Sequence, residues 1–465
     1  MSSLRLPEIQ GIIISGYSHL VYSSYLFGSI QDSVRAKQWI ANLVPKITHS
    51  AWDINEKGKA KKPNSAVNIA FTAPGLLALG LPQDSLLTFP QEFREGMAQA
   101  DRSRRLGDSG GSDPSRWEVG GPSNEPVHLL IILQTLTENE LGSMRTEFAE
   151  TMAKSGIKLI CQEDAHRLAD ESEPFGFQDG ISQPSIAGAP NVSASDPSAI
   201  PTGEFILGYS NSYGILPPSP TVPGVQDFGA NGSFLVFRKL QQDVAQFRRY
   251  FLGASKDATD CEHLMAKAVG RWKNGTPLTL SPDNDDSRLS QAPQNNTFGY
   301  QGSDAGGLKC PVGAHIRRSN PRDTVGDDPA LSLISVNRHR LLRRGVFYGP
   351  PLPVGVTDDD GQLRGILFFC INSDIHRQFE FVQQSWVNNP KFGGLYDDPD
   401  PLVGDNRDPQ GDPDKVANFT VPAKPLRRRL KQIPRFVTVK GGAYLFLPSL
   451  SALTYLSTAG GLQSA

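Results

Sequence analysis

The stretch "VHLLIILQTLTENELGSMRTEFAETMAKSGIKLICQEDA" (residues 127–165) sets an apolar run, a helical pattern and a second run in immediate succession. "VHLLIILQTL" (127–136) suits one buried strand and falls well short of the roughly 18 apolar residues of a membrane span. "ENELGSMRTEFAETMAKSG" (138–156) has helical spacing and ends at a glycine, and "IKLICQEDA" (157–165) returns as a strand. Upstream, "IQGIIISGY" (9–17) is rich in β-branched residues and reads as a strand. "SVRAKQWIANLVPKI" (33–47) reads as a helix capped by Asp32 or Ser33, and "AVNIAFTA" (66–73) as a strand running into a short helix. The resulting order, β-α-β-β-α-β, is that of a ferredoxin-like unit, an antiparallel sheet with helices on one face.

The second half repeats the theme with longer insertions. "EFILGY" (204–209) and "GSFLVFRKL" (232–240) read as strands, and a helix follows over 241–254. "RLLRRGVFYG" (340–349) and "RGILFFCIN" (364–372) are strands, "HRQFEFVQQSWVNN" (376–389) a helix, and 435–449 a late hairpin or strand. The expected fold class is α+β, with two ferredoxin-like units built on four-stranded antiparallel sheets with peripheral helices. The expected domains are 1–185 and 186–465. Residues 273–330 are rich in Asp, Pro, Gly and Ser and longer than a connector needs, which points to function.

A net charge of −2 over 465 residues excludes a nucleic-acid partner held by bulk electrostatics, and no apolar run is long enough for a membrane span. The four cysteines are widely separated, with no CxxC pair, as expected of buried free thiols. The N-terminus carries no signal-peptide pattern, so the chain is cytoplasmic or the mature form of a secreted protein. Five Asn-x-Ser/Thr sequons, at Asn191, Asn231, Asn274, Asn295 and Asn418, barely exceed chance and leave the compartment open.

Three stretches carry chemistry. "PFGFQDGISQP" (174–184) holds a lone carboxylate, Asp179, between Gly176 and Gly180 in a stiff apolar frame. "CPVGAHIRRSNPRD" (310–323) holds His315. A lone histidine is more often structural than a ligand, but the arginines that follow would serve a planar dianionic cofactor, with Arg322 placed to turn back towards it. In "NRHRLLRRGVFYGPP" (337–351), alternation puts Leu341, Arg343 and Gly345 on one face and Arg340, Leu342 and Arg344 on the other. Arg343 then either overhangs a cavity or belongs to a solvated strand edge.

Together these motifs resemble the dye-decolorizing peroxidases, and the long insertions resemble the fungal branch. "GFQDG" matches the family's GxxDG signature, "AHIRRSNPR" its proximal-histidine segment and "RLLRRGVFYG" its distal-arginine strand. The resemblance implies a haem peroxidase that uses H2O2 to oxidise bulky dyes and phenolic or other aromatic donors, as a monomer or homodimer. One haem b would sit in the C-terminal half with His315 as axial ligand. Asp400, or Asp398, would take the proton of the other ring nitrogen, and Arg322, or less favourably Arg317, would pair with a propionate. Asp179 and Arg343 would form the catalytic pair, and an aspartate base implies an acidic pH optimum. Ile366 and Phe368 would wall the peroxide pocket, Leu367 and Phe369 being the other register. Tyr348 and Trp386 would be surface radical sites, with core packing as the competing reading. The rival function is a haem-binding carrier or deferrochelatase-like protein, which would not need Asp179 together with Arg343.

Overall fold

Each half of the chain contributes four strands to a single sheet. The computed structural model describes residues 3–52, 62–168, 170–190, 192–196, 198–225, 227–408, 410–412 and 414–458. The first half supplies β1 (Tyr22–Ile30), β2 (Ser65–Phe71), β3 (Leu129–Thr135) and β4 (Ile157–His166). The second supplies β5 (Ser233–Gln242), β6 (Leu342–Arg343), β7 (Val346–Tyr348) and β8 (Gly365–Asn372). A small ribbon, β9 (Phe419–Val421) with β10 (Arg428–Leu430), precedes the last strand, β11 (Val437–Leu447). Both β6 and β7 pair with β8, so they are one strand interrupted at Arg344–Gly345.

The order is β2-β3-β1-β4 in the first half and β11-β5-β8-β7 in the second, the same arrangement twice. It is the order expected of two βαββαβ units. The strands β4 and β7 pair at one seam, β11 and β2 at the other, and the two sheets close into one barrel. Closure removes the free edges that two separate sheets would expose.

Alternation decides which side chains fill that barrel. Tyr25, Phe27, Leu130, Ile132, Phe237 and Phe369 belong to one interior cluster. Residues of the other parity in the first half, such as Leu26, Ile69 and Ile131, pack beneath the helices Ser33–Leu43 and Glu138–Lys154. Because β3 is buried on both faces, its sequence opens with an unbroken apolar run, Leu129 to Leu133. The helix ends are set locally. Asp32, not Ser33, is the cap, accepting the Arg35 N–H at 3.0 Å. The helix Glu138–Lys154 stops just before Gly156, which has φ +67°.

Two expected strands are absent. In 9–17, Gly11–Ile14 form a single helical turn whose Ile12 and Ile13 join the barrel cluster, so the β-branched residues signal burial and not extension. The true first strand, "YSSYLFGSI" (22–30), was masked by its buried serines. In 204–209, Phe205, Ile206 and Leu207 are buried in turns, not in a ladder. The late hairpin is one strand, β11, with a bulge between Val439 and Gly441. The helix at 376–389 is wound as wide π turns, with Glu380 N–H bonded to Ile375 O (3.0 Å) and Asn388 N–H to Gln383 O (2.9 Å). Of the sequons, Asn231, Asn295 and Asn418 are buried, and Asn191 lies outside the described residues.

Candidate active site

Outward-facing residues of the second half's sheet, Arg238, Leu240, Gln242, Phe368 and Val437 among them, floor a cavity of about 280 Å³. First-half segments around Leu106–Ser112 and Glu173–Ser182 help to close it. Three residues singled out in sequence, Asp179, His315 and Arg343, all line it.

His315 opens the five-residue helix His315–Ser319. Its Nδ1 lies 2.8 Å from Asp400 Oδ2, and its side chain is 30 % exposed, on the cavity side. Asp400 is buried, and its Oδ1 accepts the N–H groups of Leu402 (2.9 Å) and Val403 (3.0 Å). Asp398 is otherwise engaged, accepting the Thr420 N–H at 2.8 Å. Burial alone would push the His315 pKa down, but the Asp400 carboxylate raises it. Burial likewise raises the Asp400 carboxyl, and the His315 imidazole more than offsets it and lowers it.

Arg318 fixes this unit to its partner segment. Its buried guanidinium donates to the carbonyls of Trp386 (2.6 Å) and Asn389 (3.0 Å), and also to Asp398 O. The Val387 carbonyl accepts the Asp400 N–H at 2.9 Å, so Arg318 ties the histidine helix to the chain that carries its carboxylate.

Across the cavity, Arg343 Nη1 donates to Asp179 Oδ1 at 2.7 Å. The alternation expected in sequence holds from Leu341 to Arg343, with Leu341 and Arg343 facing the cavity and Leu342 in the barrel core, but Arg340, expected on the face of Leu342, precedes the strand and lines the cavity too. Gln183 Oε1 accepts the Arg343 N–H at 3.0 Å. Gly176 (φ +97°) and Gly180 (φ +80°) both occupy the left-handed region, which explains the two glycines of the motif. Phe175 stacks on Phe247 at 4.4 Å between ring centroids, anchoring the loop. Burial pushes the Asp179 carboxyl up, but Arg343, a backbone N–H and the His315 charge hold it below its ordinary value.

The other sequence candidates divide. Arg322 lines the cavity, with its guanidinium held by Asn296 and Phe298. Arg317 does not; it is buried against Tyr300 at 4.4 Å and donates to the Asp304 and Cys310 carbonyls, which removes it as a cofactor partner. Phe368 lines the cavity, whereas Ile366, on the same strand face, is not among its lining residues. Leu367 and Phe369 point into the barrel, which settles the register. Neither Tyr348 (7 % exposed) nor Trp386 (5 %) is a surface residue. Tyr348 shares the inward parity of Val346, and Trp386 packs under Phe381 and His339.

Sequence reasoning missed three residues. Arg340 lines the cavity with one hydrogen bond, to Ser182 O (3.3 Å), and no carboxylate partner among the described residues. Burial, with Arg322 and Arg343 beside it, lowers its pKa to about 10. Arg318 was one of three arginines whose order gave no clue to its role. Glu173, just ahead of the GxxDG motif, is the third. Its carboxylate accepts the N–H groups of Phe175 (3.0 Å) and Phe177 (3.1 Å) and the Gln242 amide (2.8 Å), clasping the Asp179 loop to β5. Burial pushes this carboxyl up to about 7 despite those bonds. In Glu173→Gln an amide NH2 must face a donor, and an unsatisfied buried N–H costs about 1–3 kcal/mol. Hydrogen-exchange protection of the Phe175 or Phe177 amide should therefore fall by about tenfold or more; unchanged protection of both would refute the clasp.

An imidazole with one nitrogen pinned by a buried carboxylate and the other side open to a cavity is a donor set for a metal. The surplus of guanidinium groups along the wall suits an acidic, planar cofactor. A model of the DyP dimeric alpha+beta barrel domain matches residues 8–167. The chain is 31% identical to the dye-decolorizing peroxidase AauDyP1 of Auricularia auricula-judae, over 97% of this chain and 87% of that protein. It is 30% identical to the multifunctional dye peroxidase DyP2 of an Amycolatopsis species, over 93% of this chain and 91% of the other. A crystal structure of a fungal DyP-type peroxidase from Auricularia auricula-judae superimposes with a TM-score of 0.81 at 30% identity, covering 98% of this chain and 100% of that one. The chain belongs to the dye-decolorizing peroxidases, a family of haem enzymes driven by hydrogen peroxide, and it is fungal-like.

Proposed function

We propose that this chain oxidises dyes and phenolic donors with hydrogen peroxide through a distal Asp179–Arg343 pair, with His315 as the axial ligand of a b-type haem. The observation that carries the reading is the 2.7 Å Asp179–Arg343 contact in the same cavity as the 2.8 Å His315–Asp400 contact. A haem carrier needs the second pair but not the first. A solved dye-decolorizing peroxidase in complex with 2,6-dimethoxyphenol, 29% identical with a TM-score of 0.79, supports phenols as donors. We read residues 1–185 and 186–465 as the two units that meet at this site.

When bound, haem supplies the iron at which peroxide is reduced. The residues around it would do the following. His315 would hold the iron through Nε2, because Asp400 keeps the proton on Nδ1 and makes the ring more basic. Arg322 and Arg340 would receive the propionates, and Arg340 has guanidinium capacity that the described residues leave unused. Asp179 would accept a proton from one peroxide oxygen and deliver it to the other, which leaves as water. Arg343 would stabilise the charge that grows on the leaving oxygen, without losing its own proton. Phe368 would keep the pocket dry.

The depressed Asp179 pKa fixes the sign of the pH dependence. The base form persists as pH falls and is lost only below the ordinary aspartate value of about 3.9. The rate of reaction with peroxide should therefore stay high in acid, where a histidine base near about 6.5 would already be protonated. A profile that rises towards neutrality and collapses below about pH 6 would refute Asp179 as the base. The direct test of the reading is stopped-flow titration of the haem-loaded protein with peroxide, followed at the Soret band. Rapid spectral conversion supports a peroxidase. A bound haem indifferent to peroxide supports the carrier.

A further inference from the structure

We propose that a shelf formed by the exposed Tyr213, Leu331 and Ile334 and the half-buried Arg338 docks planar aromatic anions, such as phenol- and naphthol-sulfonates, as electron donors. The inference deepens the peroxidase reading and rests on it for the role of the bound molecule.

The helix Pro329–Asn337 buries Ser332 and Val336 and turns an apolar face outwards. Leu331 is 65 % exposed and Ile334 50 %. With Arg338, which directly follows the helix, they fall at i, i+3 and i+7 and share one stripe. Arg338 lies over the ring of Tyr213 at 4.0 Å, so the stripe continues onto the 211–216 loop. There Tyr213 is 50 % exposed, and Ile215 and Leu216 are more so.

Charge identifies the occupant. Arg377, the second cation at Tyr213 (5.6 Å), is neutralised by Glu204 at 2.7 Å and Asp374 at 3.4 Å. Among the described residues no carboxylate lies within ion-pair distance of Arg338, and its Nε has no hydrogen-bond partner. A guanidinium without a counter-ion at the end of an apolar shelf is complementary to a flat apolar molecule ending in an anionic group. A cationic or aliphatic partner would leave that charge unanswered.

Location favours a donor over a bystander. His339, next to Arg338, stacks on Phe381 at 4.0 Å and meets Trp386 edge-on at 5.2 Å. The Trp386 carbonyl is bonded to Arg318 of the His315 helix at 2.6 Å. The shelf is thus joined through packed rings to the segment that holds the axial histidine. A bulky dye cannot share a cavity of about 280 Å³ with a haem, so it needs an outside seat. Two donor molecules are oxidised per peroxide: each loses one electron and its phenolic proton, and the peroxide is reduced to two waters.

The test uses the haem-loaded enzyme, with 2-naphthalenesulfonate as a probe titrated by its fluorescence, beside neutral naphthalene. Arg338→Ala should weaken the sulfonate roughly fivefold, the scale of a partly exposed ion pair, and leave naphthalene unchanged. Ile334→Ser should weaken both. For a phenolsulfonate donor KM should rise by a similar factor with kcat unchanged, while KM for 2,6-dimethoxyphenol stays constant. Equal sulfonate affinity in wild type and Arg338→Ala, or displacement of the probe by imidazole entering the haem pocket, would overturn the proposal. Arg338-dependent binding by an enzyme that does not turn over peroxide would confirm the anion site and overturn the peroxidase reading instead.

Discussion

Asp179→Asn slows the reaction of the haem-loaded protein with peroxide by about 10²–10⁴-fold, the usual range for loss of a positioned general base. The amide matches the carboxylate in shape and its oxygen still accepts from Arg343, so the pocket persists while the proton relay is lost. Arg343→Leu costs about 10²–10³-fold, as for a removed charge-stabilising donor. That variant also strips Asp179 of the cation that lowers its pKa, so burial raises the carboxyl and the acid limb of activity moves to higher pH. Both effects are read by stopped-flow Soret spectroscopy at about pH 4, where a wild-type aspartate with a lowered pKa is ionised. The spectrum before peroxide should match wild type in both variants, because the His315–Asp400 contact lies apart from the change. Wild-type rates in either variant would remove that residue from the mechanism.

Asp400→Asn acts on the other side, and more on cofactor retention than on rate. Oδ1 of an asparagine can still accept the Leu402 and Val403 N–H groups, so its NH2 must take the place of Oδ2 against His315. An amide donor facing Nδ1 forces the imidazole proton onto Nε2, the nitrogen proposed to hold the iron. Haem affinity should fall by about 10–100-fold, measured by transfer of haem to apomyoglobin. His315→Ala should remove the proposed iron ligand altogether, with a shifted or absent Soret band. In the cofactor-free protein the same pair predicts a stability window. The His315 pKa is raised, so its contribution is present below the ordinary histidine value and is lost as pH rises through the folded value. The Asp400 pKa is lowered, so its contribution is present above the ordinary aspartate value and is lost as pH falls through the folded one. The Tm of the cofactor-free wild type should exceed that of Asp400→Asn most clearly between those limits. A difference independent of pH would refute the ion pair.

Much of the candidate site was legible because the proposed chemistry tolerates few residue types. Asp179, His315 and Arg343 stand in short motifs whose glycines and strand parity are themselves physical requirements. Parity also held the answer for Tyr348: it shares the even-numbered, inward face of Leu342 and Val346, and no surface role was open to it. Trp386 was less accessible to such reasoning, because π turns change which residues of 376–389 face the core. The first strand was misplaced for a related reason. Isoleucines mark burial, and the helical turn Gly11–Ile14 buries them in the barrel end as well as a strand would.

What the sequence by itself determined are the features that act within one turn or one strand: a helix start at Asp32 or Ser33, the buried run of β3, the glycines of the Asp179 loop and the alternation from Leu341 to Arg343. Tertiary structure alone decided that two sheets close into one barrel, that Asp400 and not Asp398 meets His315, that Arg317 is diverted to Asp304, and that Arg338 and Arg340 have no carboxylate partner among the described residues. These outcomes depend on partners 85 positions apart for His315 and Asp400, and 164 apart for Arg343 and Asp179. Local periodicity specifies which side of an element a residue faces. Which group waits on the other side is set only when distant elements pack and each buried charge must find, or go without, its counterpart.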